Sequence, residues 1–530
     1  MNQASPIFML RVKAIGLLLF LSLIYGFWQH FSADILPIHE CRKSDSLTQA
    51  VQYFRGTALF EPKTNWIAPT GNQNAAAEFP IIYYLVGQIW KITGYQLWIA
   101  KLFSLGMLFV GILSLLPFFR WAFQSDTKAL IFSGLIFSFP VLIYYADTLM
   151  PNVFSFSFLL LAFAQFFHFW QSERKTSLAL FILFLSLAVL IKITALIAVL
   201  AFFGAYTTHL LFTKKLVKSL KISKVVYIYL GFVVALACAI LWYLYAIRYN
   251  TKYGSTIFST TIRPIWEVAP AEQWRMIKMV LMEHSREIFP LVTWPIFSVL
   301  CLWTFWSKAV SGVIKYLVAF SLLGILAYLI LWFWVFEVHD YYFIEVLFLP
   351  LILMGTYMRY PPQWHLLRRA QRPIEILFLT LVLFNTVSFT QIAAGNQNII
   401  VKNTPFISSF IKGNWGWFYF NHQDHLGQLQ LQKVAIQQQI GPTDTVLCFS
   451  DPYANVHLTA IDRIGFTNYN LSRDLPFAPQ IQNLIQKGAS KLLVFKTEAG
   501  HPDIQEFLAH PCYERANIQI FDLKPYKKQP

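Results

Sequence analysis

Apolar residues run in long stretches along the first three quarters of this chain, and polar residues gather between them. Stretches bounded by charge or proline fall near 12–29, 96–118, 129–146, 151–170, 177–191, 194–212, 225–247, 288–307, 313–335, 341–358 and 374–393. Each approaches the roughly 20 residues that a helix needs to cross a bilayer, so about eleven transmembrane helices are predicted. A cleaved signal peptide accounts for the first stretch and none of the later ones. The 177–212 region is broken only by Lys192-Ile193-Thr194, which fits two spans joined by a tight turn or one broken helix. Beyond 394 the pattern changes. Thr445–Phe449 and Leu492–Phe495 are short apolar runs that suit buried strands, and Ile518–Leu523 reads as a last strand. Ile481–Lys487 and Ile504–His510 alternate at helical spacing, so the tail reads as a small α/β domain.

Composition agrees with this pattern. Of 530 residues, 56% are hydrophobic and 13% charged, about half the charge density of a soluble domain. The net charge of +16 raises the question of a nucleic-acid partner, and its distribution argues against one. With a cytoplasmic N-terminus, the inside connections hold Arg11 and Lys13, Arg120 and Lys128, Arg174 and Lys175, Lys214, Lys215, Lys218, Lys221 and Lys224, Lys308 and Lys315, and Arg359, Arg368, Arg369 and Arg372. The short outside connections at 147–150 and 336–340 hold no Lys or Arg. This positive-inside asymmetry leaves loop 30–95, loop 248–287 and the tail outside. The predicted organisation is a membrane domain over 1–393 and an outside α/β domain over 394–530. Of five cysteines, Cys448 and Cys512 share the tail, where a disulfide can form; Cys238 and Cys301 fall in spans.

Loop 30–95 carries more chemistry than a connector needs. His39-Glu40-Cys41-Arg42-Lys43-Ser44-Asp45-Ser46 packs acids, bases and a histidine into eight positions, beside a membrane face where ionisable groups are functional candidates by default. Leu47, Ala50, Val51 and Phe54 then follow at helical spacing, predicting an amphipathic helix along the membrane surface. Asp45 stands at its start, where it can cap the helix or serve as a general base on a hydroxyl. Glu78 precedes a proline-started helix and reads as a first-turn charge or a second functional acid.

Two further outside corners are polar. One carries Asp147 in a short turn, and the other carries His339, Asp340, Tyr341 and Tyr342 after Glu337. Each alone is an ordinary interfacial turn; together they describe a polar cavity opening outward. Arg42 and Lys192, with outside residues such as Arg248, Arg263, Arg275 and Arg286, can neutralise a phosphate there. Lys192 also reads as a lysine snorkelling from a span end. His39 with Glu40, or His339 with Asp340, can ligate a divalent cation, yet no metal-binding spacing such as H-E-x-x-H occurs, so no metal ligand set is assigned. No phosphate-binding loop of the G-x-x-x-x-G-K-[ST] type is present, and any energy for chemistry must come from an already activated substrate.

In this order and on this membrane side, Arg42-Lys43-Ser44-Asp45-Ser46 with Ala50 and Phe54, Glu78-Phe79-Pro80, Asp147 with Pro151, and His339-Asp340-Tyr341-Tyr342 resemble the GT-C glycosyltransferases. Asp462-Arg463-Ile464-Gly465-Phe466 and Gln486-Lys487-Gly488-Ala489 extend the resemblance into the tail. Within that superfamily the chain is similar to bacterial members related to protein O-mannosyltransferases and lipid A aminoarabinose transferases, the family 39-like enzymes. The resemblance implies the GT-C fold, a bacterial inner-membrane location with the tail in the periplasm, and a sugar donor carried on polyprenyl phosphate. It implies transfer to an acceptor hydroxyl of a glycan, lipid or protein. It places Asp45 at the position of the family's first-loop base, with a cation such as Lys192 or Arg42 on the leaving phosphate. Many relatives carry two adjacent acids, whereas Ser46 follows Asp45 here, so Glu40 or Glu78 would stand in for the second.

A transporter or flippase of a lipid-linked or small polar substrate is the alternative. Transporters place polar groups near the bilayer midplane and often show internal repeats, whereas here the ionisable residues collect at one face and no repeat is visible. A membrane scaffold whose tail binds a partner is a third reading.

Overall fold

The computed structural model describes residues 6–32, 35, 38–212, 222–258, 262–361, 370–393, 409, 412–413 and 423–527. Lys214, Lys215, Lys218, Lys221, Arg368, Arg369 and the start of the expected tail domain at 394 lie outside the described residues. The chain divides into two compact units. One comprises Met1–Ser32, Trp98–Trp242 and Thr261–Asn414, and the other Ala33–Leu97, Tyr243–Thr260 and Trp415–Pro530.

In the first unit every long apolar stretch is helical, and the chain is a multi-pass membrane protein. Among the described residues of the whole chain, eight helices are long and apolar enough to cross a membrane, and a ninth span arises if Pro270–Ile288 and Leu291–Trp306, bent by 93°, are taken together. The run expected as one span at 129–146 is two short helices, Asp126–Ile136 and Pro140–Tyr145. Pro140 lacks an amide hydrogen and its ring crowds the preceding turn, so the upstream helix stops. Lys175–Ile191 is also short, at 17 residues. Small residues let helices approach closely, as membrane packing favours: a Cβ on Gly111 would lie 3.0 Å from the Ser157 carbonyl oxygen.

Two breaks in this unit matter for chemistry. Lys192 is extended, with φ −151° and ψ 112°, between Lys175–Ile191 and the 3₁₀ turn Ile193–Ala195, after which Leu196–Phe212 is helical again. The Gly312–Leu331 helix gives way to 3₁₀ segments at Phe333–Glu337 and Asp340–Leu347. Eight residues is long for a 3₁₀ run, and such stretches often mark functional hinges.

The second unit is built on a five-stranded sheet with β1 (Thr445–Cys448), β2 (Gly465–Thr467), β3 (Ala489–Phe495), β4 (Pro511–Arg515) and β5 (Ile518–Asp522). Their order is β2-β1-β3-β5-β4; β1 is parallel to β2 and β3, and β5 antiparallel to β3 and β4. The expected strands at 445–449, 492–495 and 518–523 and the helix at 481–487 are present, while in place of a helix at Ile504–His510 there is a 3₁₀ segment, Pro502–Leu508. β2 and β4 carry no strand signal that the apolar pattern picks out. Leu447, Phe466, Ile481, Leu492 and Ile504 are buried in the core on this sheet.

The loop after the first span belongs to this unit. The Ile67 amide donates to the Gly465 carbonyl at 2.7 Å and the Gly465 amide to the Asn65 carbonyl at 3.0 Å. Asn65 to Ile67 thereby cover the open edge of β2, whose unpaired groups would otherwise invite other chains. A Cys448–Cys512 disulfide, which the shared tail left open, does not form. The two residues lie on β1 and β4 with β3 and β5 between them, roughly 14 Å apart at about 4.8 Å per strand, beyond the reach of a disulfide.

The helix expected to start near Asp45 starts at Glu40 and runs to Phe54. Asp45 is therefore inside it, and the capping role does not hold; His39 occupies the cap position with φ 53° and ψ 36° and makes no side-chain cap bond. Nor does this helix lie on a surface, because Lys43, Ser44 and every residue from Ser46 to Tyr53 are buried. It packs against Ile81–Thr93 closely enough that a Cβ on Gly87 would meet the Tyr53 and Phe54 backbone at 2.8–2.9 Å.

Candidate functional site

The second unit brings His39, Glu40, Arg42, Asp45 and Glu78 into one neighbourhood. The Arg42 guanidinium lies 2.5 Å from the Glu78 carboxylate, with both side chains largely buried. The Tyr83 hydroxyl donates to the same Glu78 oxygen and also lies 3.3 Å from the Ser46 hydroxyl. Glu78 is thus committed to orienting Arg42 and Tyr83. Asp45 is half-buried, and its Oδ1 accepts a 2.8 Å hydrogen bond from the side-chain amide of Asn455. Burial pushes the Asp45 carboxyl up to about 6, with Glu78 adding to the rise while Arg42 and Asn455 oppose it. Burial, followed by the Asp45 charge, pushes the Cys41 thiol up to about 12.

Asn455 and a second tail residue, Asp451, were not legible as site residues. Asp451 is fully buried and accepts from the amides of Tyr453 at 3.0 Å and His457 at 2.7 Å. Burial pushes it up to about 8 against those two bonds, with the charges of Glu40 and Asp45 adding to the rise. Asp451 and Asn455 stand in Phe449-Ser450-Asp451-Pro452-Tyr453-Ala454-Asn455, a polar stretch directly after a strand. That position is a usual place for site residues in α/β folds and was the available signal.

The first unit holds Asp147, Lys192, His339, Asp340, Tyr341 and Tyr342. Asp147 is fully buried in the turn between Pro140–Tyr145 and Pro151–Ser172. Asp340 accepts a 2.5 Å hydrogen bond from the Tyr145 hydroxyl. The Lys192 ammonium sits 4.3 Å from the Tyr342 ring centroid and 6.0 Å from that of Tyr341, and the His339 and Tyr341 rings are 5.4 Å apart. Lys192 is thereby held at two aromatic faces.

Two further buried acids stand here, neither among the candidate residues read from the sequence. Glu345 is buried within the apolar 341–358 stretch and accepts from the Asn152 amide at 2.8 Å. Glu287 pairs with His284 at 2.9 Å. For Glu345, a carboxylate inside a membrane-length run is itself the signal, whereas Glu287 stands just before the apolar stretch at 288–307. Two outside basic residues proposed for phosphate are engaged locally: Arg275 with Glu272 and Glu337, and Arg263 over the Trp334 ring at 4.4 Å. Among the described residues no group of three or more His, Cys, Asp or Glu is arranged to hold a metal ion.

The fold made by these membrane-length helices, the small α/β domain and the loop that joins its sheet has solved counterparts. The chain resembles the crystal structure of ArnT from Cupriavidus metallidurans in the apo state, with a TM-score of 0.60 at 10% identity over 98% of this chain and 99% of that one. It resembles the same protein bound to undecaprenyl phosphate with a TM-score of 0.57, again at 10% identity, over 97% and 99%. An apo oligosaccharyltransferase from Archaeoglobus fulgidus matches with a TM-score of 0.51 at 11% identity, over 92% of this chain and 70% of that one. No protein-family model and no curated protein sequence matches. The fold is thus the one that the motif resemblance implied.

Proposed function

We propose that this protein is a membrane glycosyltransferase that moves a sugar from a polyprenyl-phosphate donor to an acceptor hydroxyl. A solved structure of the same fold is bound to undecaprenyl phosphate, which supports a lipid-phosphate carrier. The observation that carries the reading is Asp45 itself: a half-buried carboxylate beside Arg42 and Glu78 that accepts from Asn455, raised to about 6, near the value a base needs at physiological pH.

Asp45 takes the proton of the acceptor hydroxyl as its oxygen attacks the anomeric carbon. The bond from that carbon to the phosphate oxygen breaks, and the lipid phosphate leaves with the electron pair. Arg42, oriented by Glu78, and Lys192, held by Tyr341 and Tyr342, are the cations assigned to that phosphate. His39, Glu40, His339 and Asp340 supply polar contacts, and Asp147 is assigned a catalytic carboxylate role. The N-terminus is cytoplasmic, and transfer takes place on the periplasmic face of the bacterial inner membrane. The acceptor is a glycan, lipid or protein.

The test is mass analysis of envelope lipids, glycans and proteins from cells with the protein, without it, and with Asp45→Asn. A sugar adduct should vanish in both altered strains while the variant accumulates in the membrane at its usual level. An unchanged adduct in Asp45→Asn cells would remove Asp45 from the mechanism. Substrate flux across proteoliposomes without glycosyl transfer would replace the enzyme with a transporter.

A further inference from the structure

The side chains of Asp45 and Asn455 are 410 positions apart in sequence and meet in one hydrogen bond. Asn455 is almost fully buried, and both ends of its amide are engaged. Its Oδ1 accepts from the Trp66 backbone amide at 3.0 Å, which leaves Nδ2 to point at Asp45. A backbone N–H can only donate, so the bond to Trp66 selects the amide orientation: oxygen to Trp66, nitrogen to Asp45. Flipping the amide would set donor against donor at Trp66 and oxygen against oxygen at Asp45. Asn455 therefore offers Asp45 a donor only.

We propose that Asn455 is a positioning residue for the Asp45 base, which makes the α/β tail part of the catalytic apparatus and not a cover over it. The proposal rests on the reading of Asp45 as the base. A fixed donor on Oδ1 holds the carboxylate plane and directs Oδ2 to the acceptor. It also stabilises the ionised form against burial, which keeps the base available near neutrality. The surroundings of Trp66 make the donor rigid. Its indole nitrogen donates to Asn470 at 2.7 Å, and neighbouring Asn65 takes 2.8 Å and 2.7 Å hydrogen bonds with Thr48 and Gln52 of the helix that carries Asp45. Helix, loop and tail are thereby tied at the one point where the base needs to be aimed. Among the described residues, the other charged or titratable groups around Asp45 include Arg42, Cys41 and Glu40 on its own helix, Glu78 from the loop, and Asp451 and Tyr453 from the tail.

The discriminating variant is Asn455→Asp in the full-length protein. It keeps an acceptor for the Trp66 amide and so preserves the structural role, but it replaces the donor facing Asp45 with a carboxylate oxygen. Transfer is measured from pH 4.5 to 9 with a polyprenyl-phosphate sugar, alongside Asp45→Asn. The acid limb of kcat/KM should move up by about one pH unit or more, with KM for the lipid donor within about twofold of wild type. A limb at the wild-type pH overturns the proposal. If Asn455→Asp does not fold, Asn455→Ala reads the same limb, which should again rise through loss of the donor; an unmoved limb overturns the proposal here too. Asp45→Asn separates the two failures. Full transfer by that variant removes the base reading, whereas an inactive Asp45→Asn with an unshifted Asn455→Asp removes only the positioning role.

Discussion

Arg42 and Glu78 meet at 2.5 Å across the 36 residues that separate them, and the Tyr83 hydroxyl donates to the same carboxylate oxygen. Glu78→Gln preserves the shape and removes the charge. With side chains only 12% and 9% exposed, the change should cost about 1–3 kcal/mol, read as a lower thermal midpoint in detergent. Glu78 also raises the Asp45 pKa, so the acid limb of transfer should move down in this variant, opposite in sign to Asn455→Asp.

Wild-type transfer should itself follow the Asp45 titration. The base works ionised, and its carboxyl is pushed up to about 6. Activity should therefore be flat above that pH and fall about tenfold per unit below it. A limb near 4, the ordinary carboxylate range, would show that Asp45 is not the titrating base.

Lys192 over Tyr342 sets a third expectation. Tyr342→Phe keeps the aromatic face and should bind polyprenyl phosphate as wild type does. Tyr342→Ala loses a cation–π contact of about 0.5–2 kcal/mol and should weaken binding about two- to thirtyfold, through a lysine no longer held in place. Lys192→Ala should weaken it at least as much. Titration of the purified protein with the lipid phosphate measures all three, and equal affinities would take Lys192 out of the donor site.

Gly87→Ala tests how the base is carried. Alanine favours a helix by up to about 1 kcal/mol over glycine. Its Cβ, however, would meet the Cβ of Tyr53 at 2.7 Å and backbone atoms of Phe54 and Tyr53 at 2.8 and 2.9 Å, and backbone cannot swing aside. Overpacking of this kind costs about 1–3 kcal/mol and should outweigh the propensity gain. The thermal midpoint should fall, and transfer should fall with it as the Asp45 helix is pushed away; a stabilised variant would refute the close packing.

Much of the site was legible because its residues interrupt strong local patterns. Lys192 breaks a long apolar stretch, and His339-Asp340-Tyr341-Tyr342 opens another. Glu345 was as conspicuous in principle, a carboxylate in a membrane-length run. Asp45 was found for its company of charged neighbours, while its local reading as a helix cap was wrong. The helix begins five residues earlier than the apolar spacing showed, because burial in the second unit, and not a membrane surface, defines which of its residues face inward. Asn455 stands in a polar stretch directly after β1, which marks a candidate site but does not say which side chain in it donates to Asp45.

Hydrophobic periodicity is a property of neighbours along the chain, so the sequence by itself determined the membrane-length helices, the α/β character of the tail and the places where ionisable groups cluster. Partnerships depend on which surfaces meet when the chain packs. Only the tertiary structure decided that residues 65–67 extend the tail's sheet, that β3 and β5 keep Cys448 from Cys512, that Glu78 belongs to Arg42, and that Asn455 holds Asp45. A hydrogen bond needs its atoms within about 3 Å and in line. Separations of tens to hundreds of residues carry no trace of that distance until the core between them has formed.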